Sequence, residues 1–128
     1  MSTAAIMIFT SQPPDEIFKA GGSQSWRVNR QHASQCEYAI LTQNTKQMGF
    51  AASRPIFSHG QAFLIGKISA VVPSTDSAGR FLIRFNSYAM LGDRKVRWPG
   101  YRGPFFYTTL EVQGVALAFL TFKPMPAI

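Results

Sequence analysis

The sequence AFLIGKISAVV at residues 62–72 is the strongest strand signal in the chain. It is rich in β-branched and aromatic residues, which suit a pleated and partly buried surface. Pro73 closes it, because proline cannot donate a hydrogen bond to a continuing ladder. Gly66 stands in its middle and predicts a bulge or bend of the kind that lets a sheet turn a barrel corner.

A second apolar run follows the turn at residues 74–79 and predicts a hairpin with the first. In it, Phe81, Ile83 and Phe85 alternate with Leu82 and Arg84. Side chains alternate between the two faces of a strand, so Arg84 is expected on the face opposite the phenylalanines.

Three further apolar runs predict strands. They are a first strand or ordered arm at residues 5–9, a strand buried on both faces at 37–43 and a short strand at 104–108 that begins with a proline. Four or more short strands with minor helices predict an α+β fold: a small, twisted, partly closed β-barrel.

The remaining segments predict short helices and connections. A proline and two acidic residues precede or open residues 15–20, and two glycines follow, which favours one or two helical turns there. Residues 25–35 are interpreted as a short helix or loop. Residues 44–58 form a long connection, and 115–122 form a final apolar segment.

Length and composition place all 128 residues in one folded domain, 1–128. Hydrophobic residues make up 46% of the chain and charged residues 15%, which excludes wholesale disorder. Thirteen Lys and Arg stand against six Asp and Glu, giving a formal net charge of +7. A small, folded and strongly basic protein most often binds a polyanion.

The compartment expected from the sequence is the cytoplasm. Cys36 is the only cysteine, so the chain cannot form an intramolecular disulfide. The apolar patch at residues 4–9 is too short for a signal core and has no basic region before it. No run of about 18 apolar residues is present, so we expect no transmembrane helix and no membrane partner.

Candidates for catalysis are few. The chain shows no recognised catalytic or metal-binding spacing and no glycine-rich phosphate loop, so we expect no cofactor and no metal. The two histidines, His32 and His59, leave one enzymatic alternative. A small metal-free ribonuclease or other base-directed enzyme would use them as an acid and base pair, provided that they share a pocket.

The most informative stretch runs from residue 80 to 107, where six basic residues are interleaved with aromatic ones. Cations bind phosphates, and flat rings stack exposed bases, so this mixture suits single-stranded or extruded nucleotides. Trp98 is preferred over Phe105 and Phe106, because it lies in a turn-rich loop and carries a polar handle. The alternative is a solvated basic loop whose Trp98 and Tyr101 pack onto the end of the barrel.

A second cluster surrounds Trp26, which is flanked by Arg27 and Arg30. Three asparagines are candidates for reading a base edge or for capping a turn: Asn29, Asn44 and Asn86. The predicted nucleic-acid-binding residues are Trp26, Arg30, Arg84, Arg94, Lys95, Arg97, Trp98, Tyr101 and Arg102.

Four segments together resemble the PUA-like superfamily, and within it the EVE-type, modified-base-reading domains. They are EYAILTQN (37–44), GQAFLIGKISAVVP (60–73), RFLIRF (80–85) and GPFFYTTLE (103–111). The resemblance implies a small barrel closed by short helices, with a concave pocket that accepts a flipped and sometimes modified base. It also implies aromatic pocket walls, for which Trp26, Trp98 and Tyr101 are the candidates.

The leading prediction is therefore a non-enzymatic domain that binds RNA or DNA. It would hold phosphates with its basic loop and stack a base on its aromatic rings. A second alternative is a protein-interaction regulator that docks its basic face on an acidic partner. A homodimer through residues 5–9, by addition of a strand to a neighbour's sheet, is a further expectation.

Overall fold

The computed structural model describes residues 2–45, 57–92 and 95–126. The elements are, in order, β1 (Ala4–Thr10), α1 (Pro14–Ala20), β2 (Gly22–Trp26), α2 (Arg30–Ser34), β3 (Tyr38–Gln43), β4 (Ala62–Pro73), β5 (Phe81–Met90), β6 (Phe105–Thr109), a 3-10 helix (Leu117–Phe119) and β7 (Lys123–Pro124). Among the described helices, none has the length and apolar character needed to cross a membrane.

The strands form one mixed sheet in the order β2-β5-β4-β3-β1-β6, with β7 beside β5. β1 and β3 run parallel, whereas the other pairs are antiparallel. The sheet curls into a half-barrel accompanied by short helices, which is compatible with the predicted α+β class.

Irregularities in the β4–β5 hairpin provide the curvature. The pairing register shifts twice between Lys67 and Ala70, directly after Gly66, and such irregularities bend a strand. Gly66 also allows a close approach, because a Cβ built there would lie only 2.5 Å from the ring of Phe85. The bend predicted from this glycine is thus found within four residues of it, together with tight packing against the partner strand.

Buried side chains cover both faces of the central strands. On one face, Ile6 and Ile8 of β1 pack with Ile17 of α1 and Ala33 of α2. On the other face, Met7 packs in a cluster that includes Leu110 and Val115, which come after β6 in the chain. The helices α1 and α2 therefore contribute to the core on one face of the sheet, and residues after β6 contribute to the core on the other.

Most of the predicted elements are confirmed, with small differences at their ends. The hairpin forms from β4 and β5, and the predicted strands at 37–43 and 104–108 become β3 and β6. Arg84 is exposed while Ile83 and Phe85 are buried, as the alternation predicted. The final apolar segment contains a 3-10 helix, and the partly buried Leu117 and Leu120 pack against the buried cluster that includes Met7.

One element differs from the expectation. β2 was not predicted, because its sequence GSQSW has a single large apolar side chain. Residues 5–9, predicted as a first strand or ordered arm, form β1, which pairs with β3 on one side and β6 on the other. Both edges of β1 are thus paired within the chain, and a homodimer through these residues stays a prediction.

Candidate nucleic-acid interface

One cavity of about 630 Å³ brings together the two ends of the strand order. Trp26 comes from β2, whereas Phe105 comes from β6, at the opposite end of the sheet. A single cavity reaches both because the sheet is curled. Its described lining residues are Phe9, Ser11, Ser25, Trp26, Arg27, Asn44, Arg80, Tyr101, Arg102, Gly103, Pro104 and Phe105. This volume lies in the range of about 300 to 1,000 Å³ usual for small-molecule sites.

The Trp26 wall stands on the edge strand β2. Trp26 pairs with Phe81 of β5 and is half-buried. Its indole Nε1 donates a hydrogen bond of 2.8 Å to the hydroxyl of Ser23, which is completely buried. The side chain thereby satisfies its polar atom within the protein, and its ring contributes apolar surface to the cavity.

The opposite wall is carried by Tyr101, in the loop before β6. Its side chain is 55% exposed and stacks on Phe106, with ring centroids 5.1 Å apart. The ring also lies over Gly103, where a Cβ would stand 3.0 Å from Tyr101 Cε2. Tyr101 is therefore held by packing on one side while much of its surface stays accessible.

Trp98 supports this wall from behind. It stacks almost parallel on Phe9, with centroids 4.9 Å apart and planes 8° apart, and meets Tyr101 and Phe106 edge to face. Trp98 is absent from the described lining of the cavity. The indole predicted as the best stacking surface thus positions Phe9 and Tyr101, which do line it. In this respect the packed-loop alternative describes Trp98 correctly.

Three arginines, Arg27, Arg80 and Arg102, line the cavity, and no acidic side chain is among the described lining residues. Arg80 is half-buried, and its Nη1 donates a hydrogen bond of 3.3 Å to the carbonyl oxygen of Ser25. Arg102 was predicted as a binding residue. Arg27 and Arg80 were left out of the predicted set, although Arg27 directly follows Trp26 and Arg80 opens the basic stretch.

A carboxylate lies close to one of these arginines. Asp76 accepts hydrogen bonds from the hydroxyls of Ser25 and Ser74, and these bonds, followed by the charge of Arg80, hold its pKa below the usual range. Ser25 itself lines the cavity. Asp76 therefore fastens the end of β2 to the turn at 74–79, just behind the Trp26 wall.

Asn44 is the polar amide at this site. It is only 7% exposed, and its backbone N–H donates to the carbonyl oxygen of Thr10 at 2.8 Å, which fixes it just beyond β3. The other two candidate asparagines lie elsewhere. Asn29 caps α2 by accepting from the backbone N–H of His32 at 2.9 Å, and Asn86 accepts from Ser87 on the outside of β5.

The other predicted binding residues do not line this cavity. Arg30 donates from Nε to the carbonyl oxygen of Val71, and Arg97 donates from Nη2 to that of His59. Lys95 lines a different cavity, beside Leu91 and Gln113, and Arg84 is exposed on β5. The remaining one, Arg94, lies outside the described residues.

The two histidines lie in different surroundings. His32 stacks on Tyr107, with ring centroids 3.9 Å apart, and lines a cavity of about 350 Å³ together with Cys36. His59 instead contacts Phe9 edge to face, and its Nδ1 lies 3.1 Å from the hydroxyl of Thr45. In the cavities formed by described residues, His32 and His59 do not meet. Burial raises the pKa of the Cys36 thiol, which disfavours the nucleophilic thiolate.

Within the described ranges, no three His, Cys, Asp or Glu side chains gather in a way that could hold a metal ion. Comparisons of the chain with protein-family models, with curated proteins and with solved structures found no match.

Proposed function

We propose that this protein is a nucleic-acid-binding domain whose cavity receives one base of a single-stranded or extruded nucleotide. The observation that carries the proposal is the meeting of Trp26 and Tyr101 with three arginines around one hollow of about 630 Å³. Rings suit the flat face of a base, and guanidinium groups suit its phosphates. The ligand is thus recognised by two complementary chemistries within one cavity.

Stacking is assigned to Trp26 and Tyr101. Base stacking on an aromatic side chain contributes about 1 to 3 kcal/mol per base. Trp26 is anchored through its indole nitrogen and Tyr101 through its stack on Phe106, so little side-chain freedom remains to be lost on binding. Asn44 lines the same cavity.

Phosphate binding is assigned to Arg27, Arg80 and Arg102. If each neutralises one phosphate on a single strand, the logarithm of the affinity falls with the logarithm of salt concentration with a slope of about −2, at about −0.7 per phosphate. The other basic residues contribute through the general positive charge of the domain.

Within the α+β class, we propose that the half-barrel is a PUA-like barrel. This proposal rests on the four quoted segments, whose order along the chain matches the half-barrel strands β3, β4, β5 and β6. In that proposal, the cavity is the place where a flipped base, in RNA or DNA, would be read.

The test is equilibrium binding of labelled single-stranded RNA, single-stranded DNA and duplex, at about 50 mM salt where counterion release favours association. We expect both single strands or one of them to bind better than duplex. Tyr101→Leu should weaken that binding about tenfold, given the energy of one stacked base. Phe119→Leu is the matched control, since it alters an exposed ring that does not line the cavity. If no oligonucleotide binds, the proposal fails, and the alternative is that the basic face binds an acidic protein partner.

A further inference from the structure

We infer that the cavity prefers a nucleoside that carries a phosphomonoester, which means a phosphorylated end of a single strand or a free nucleoside monophosphate. This inference rests on the proposed function and names the class of nucleotide that the same cavity would take.

Three arginines line this one cavity, and the described lining contains no carboxylate. Asp76, the carboxylate whose pKa Arg80 helps to lower, offsets part of that charge from behind Ser25. Like charges held near one another repel, and a bound anion removes that repulsion. The remaining excess of positive charge calls for a ligand group with more than one negative charge.

An internal phosphodiester carries a single negative charge, whereas a phosphomonoester carries about −1.5 to −2 at pH 7 and three acceptor oxygens. Arginine binds such oxygens through paired N–H groups in a fork. A terminal phosphate therefore suits a cavity lined by three arginines better than a backbone phosphate does.

The order of residues supports a nucleotide as the ligand. Arg27 directly follows Trp26, and Arg102 directly follows Tyr101, and all four line the cavity. Each proposed stacking ring thus has a proposed phosphate-binding residue as its neighbour in the chain. A nucleotide carries a flat ring and a phosphate, so it can engage both members of such a pair.

Three other cavities lined by described residues lack this combination. The cavity beside Leu91 contains Lys95 as its cation, and the one beside Phe119 contains Lys123. The cavity beside His32 contains no Lys or Arg among its described lining residues. Among these four cavities, the one beside Trp26 is the one whose described lining contains more than one Lys or Arg.

The experiment compares four forms of one single-stranded oligonucleotide: 5′-phosphorylated, 3′-phosphorylated, unphosphorylated, and ligated into a covalent circle without ends. A nucleoside 5′-monophosphate and a 3′-monophosphate are added as competitors, to separate a free nucleotide from a strand end. We expect one phosphorylated form to bind about tenfold to a hundredfold more tightly than the unphosphorylated strand and the circle, as charged hydrogen bonds imply.

The variants Arg80→Ala and Arg102→Ala should remove this preference, and Arg84→Ala, which takes an exposed arginine from β5, should retain it. Competition by a monophosphate at concentrations similar to those of the phosphorylated strand assigns the site to free nucleotides, and weaker competition assigns it to strand ends. If the circle binds as tightly as the phosphorylated strands, the inference is overturned while the proposed function stands. If no form binds, both are overturned.

Discussion

Trp26 and Trp98 each have an arginine as a direct neighbour in the sequence, in Ser-Trp-Arg and Arg-Trp-Pro, and both are half-buried. Their roles in the structure differ. Trp26 lines the cavity, with its indole nitrogen bonded to Ser23, whereas Trp98 lies flat against Phe9 behind the opposite wall. A ring can stack a base only if one of its faces stays open, and that depends on which distant side chains cover it. The two indoles therefore differ in role: Trp26 lines the cavity, and Trp98 packs against one of its lining residues.

The largest expected effect follows from Gly22→Ala at the start of β2. An added Cβ would stand 2.8 Å from Cα of Arg84 and closer still to the carbonyl oxygen of Ile83, so β2 must move away from β5. We expect a loss of about 3 kcal/mol in unfolding free energy, at the upper end for an overpacked site, together with weaker oligonucleotide binding because the Trp26 wall is displaced. Denaturant unfolding measures the first effect.

Gly79→Ala is the matched control for this change. Gly79 has a φ of +78° with open space around its Cα, so its substitution adds only left-handed backbone strain of about 1 kcal/mol. Equal losses in the two variants would show that the contact between Gly22 and β5 is not tight.

The second prediction exchanges each indole for leucine and measures both stability and binding. Trp98→Leu should lower the unfolding free energy by about 2 kcal/mol, because it removes the stack on Phe9 and the edge contacts with Tyr101 and Phe106. Trp26→Leu should weaken single-strand binding about tenfold through the lost stacking surface. The comparison is contradicted if Trp98→Leu weakens binding more than Trp26→Leu does while both proteins remain folded.

The third prediction concerns salt. Arg80→Ala should make the slope of log affinity against log salt shallower by about 0.7, the value for one phosphate on a single strand. Arg84→Ala removes the same charge from an exposed position outside the cavity lining and should leave the slope nearly unchanged. Equal changes in slope would assign phosphate binding to the whole basic surface.

The smallest effect is expected when the pH is lowered, at the residues around Trp26 that lie near Asp76. The pKa of Asp76 is lowered in the folded protein, chiefly by the Ser25 and Ser74 hydroxyls, so its stabilising contribution is present above the unfolded value of 3.8. That contribution disappears as pH falls through the lower folded pKa. NMR titration should therefore show the amides of Ser25 and Trp26 shifting in this acid range ahead of Trp98. Asp76→Asn should abolish the early shift, and a shift that persists in this variant would assign it to another group.

Much of the fold followed from local sequence patterns. The hairpin β4–β5 was predicted because β-branched and aromatic residues fill both strands and a clear turn separates them. β2 escaped prediction, since GSQSW lacks an apolar alternation and becomes a strand only by pairing along the edge of β5. Tertiary pairing outweighs local propensity at such an edge.

The sequence indicated the residue types that line the cavity, aromatic and basic, but only some of the individual residues. Trp26 lines one cavity with Tyr101 and Arg102, although 74 residues of chain lie between Trp26 and Tyr101. Sequence alone gives no measure of how far the sheet curls, and the curl decides which arginines meet. Arg80 reaches the cavity, while Arg84, four residues later on the exposed face of β5, does not line it.

The most direct test of the stacking proposal is fluorescence quenching in two proteins with one tryptophan each. Trp98→Phe retains Trp26 alone, and Trp26→Phe retains Trp98 alone, and phenylalanine keeps a flat ring at each site. On titration with a phosphorylated single strand, we predict strong, saturable quenching of Trp26 and little change in Trp98. Quenching confined to Trp98, or absent from both proteins while the strand is bound, would contradict the assignment of Trp26 as the binding indole.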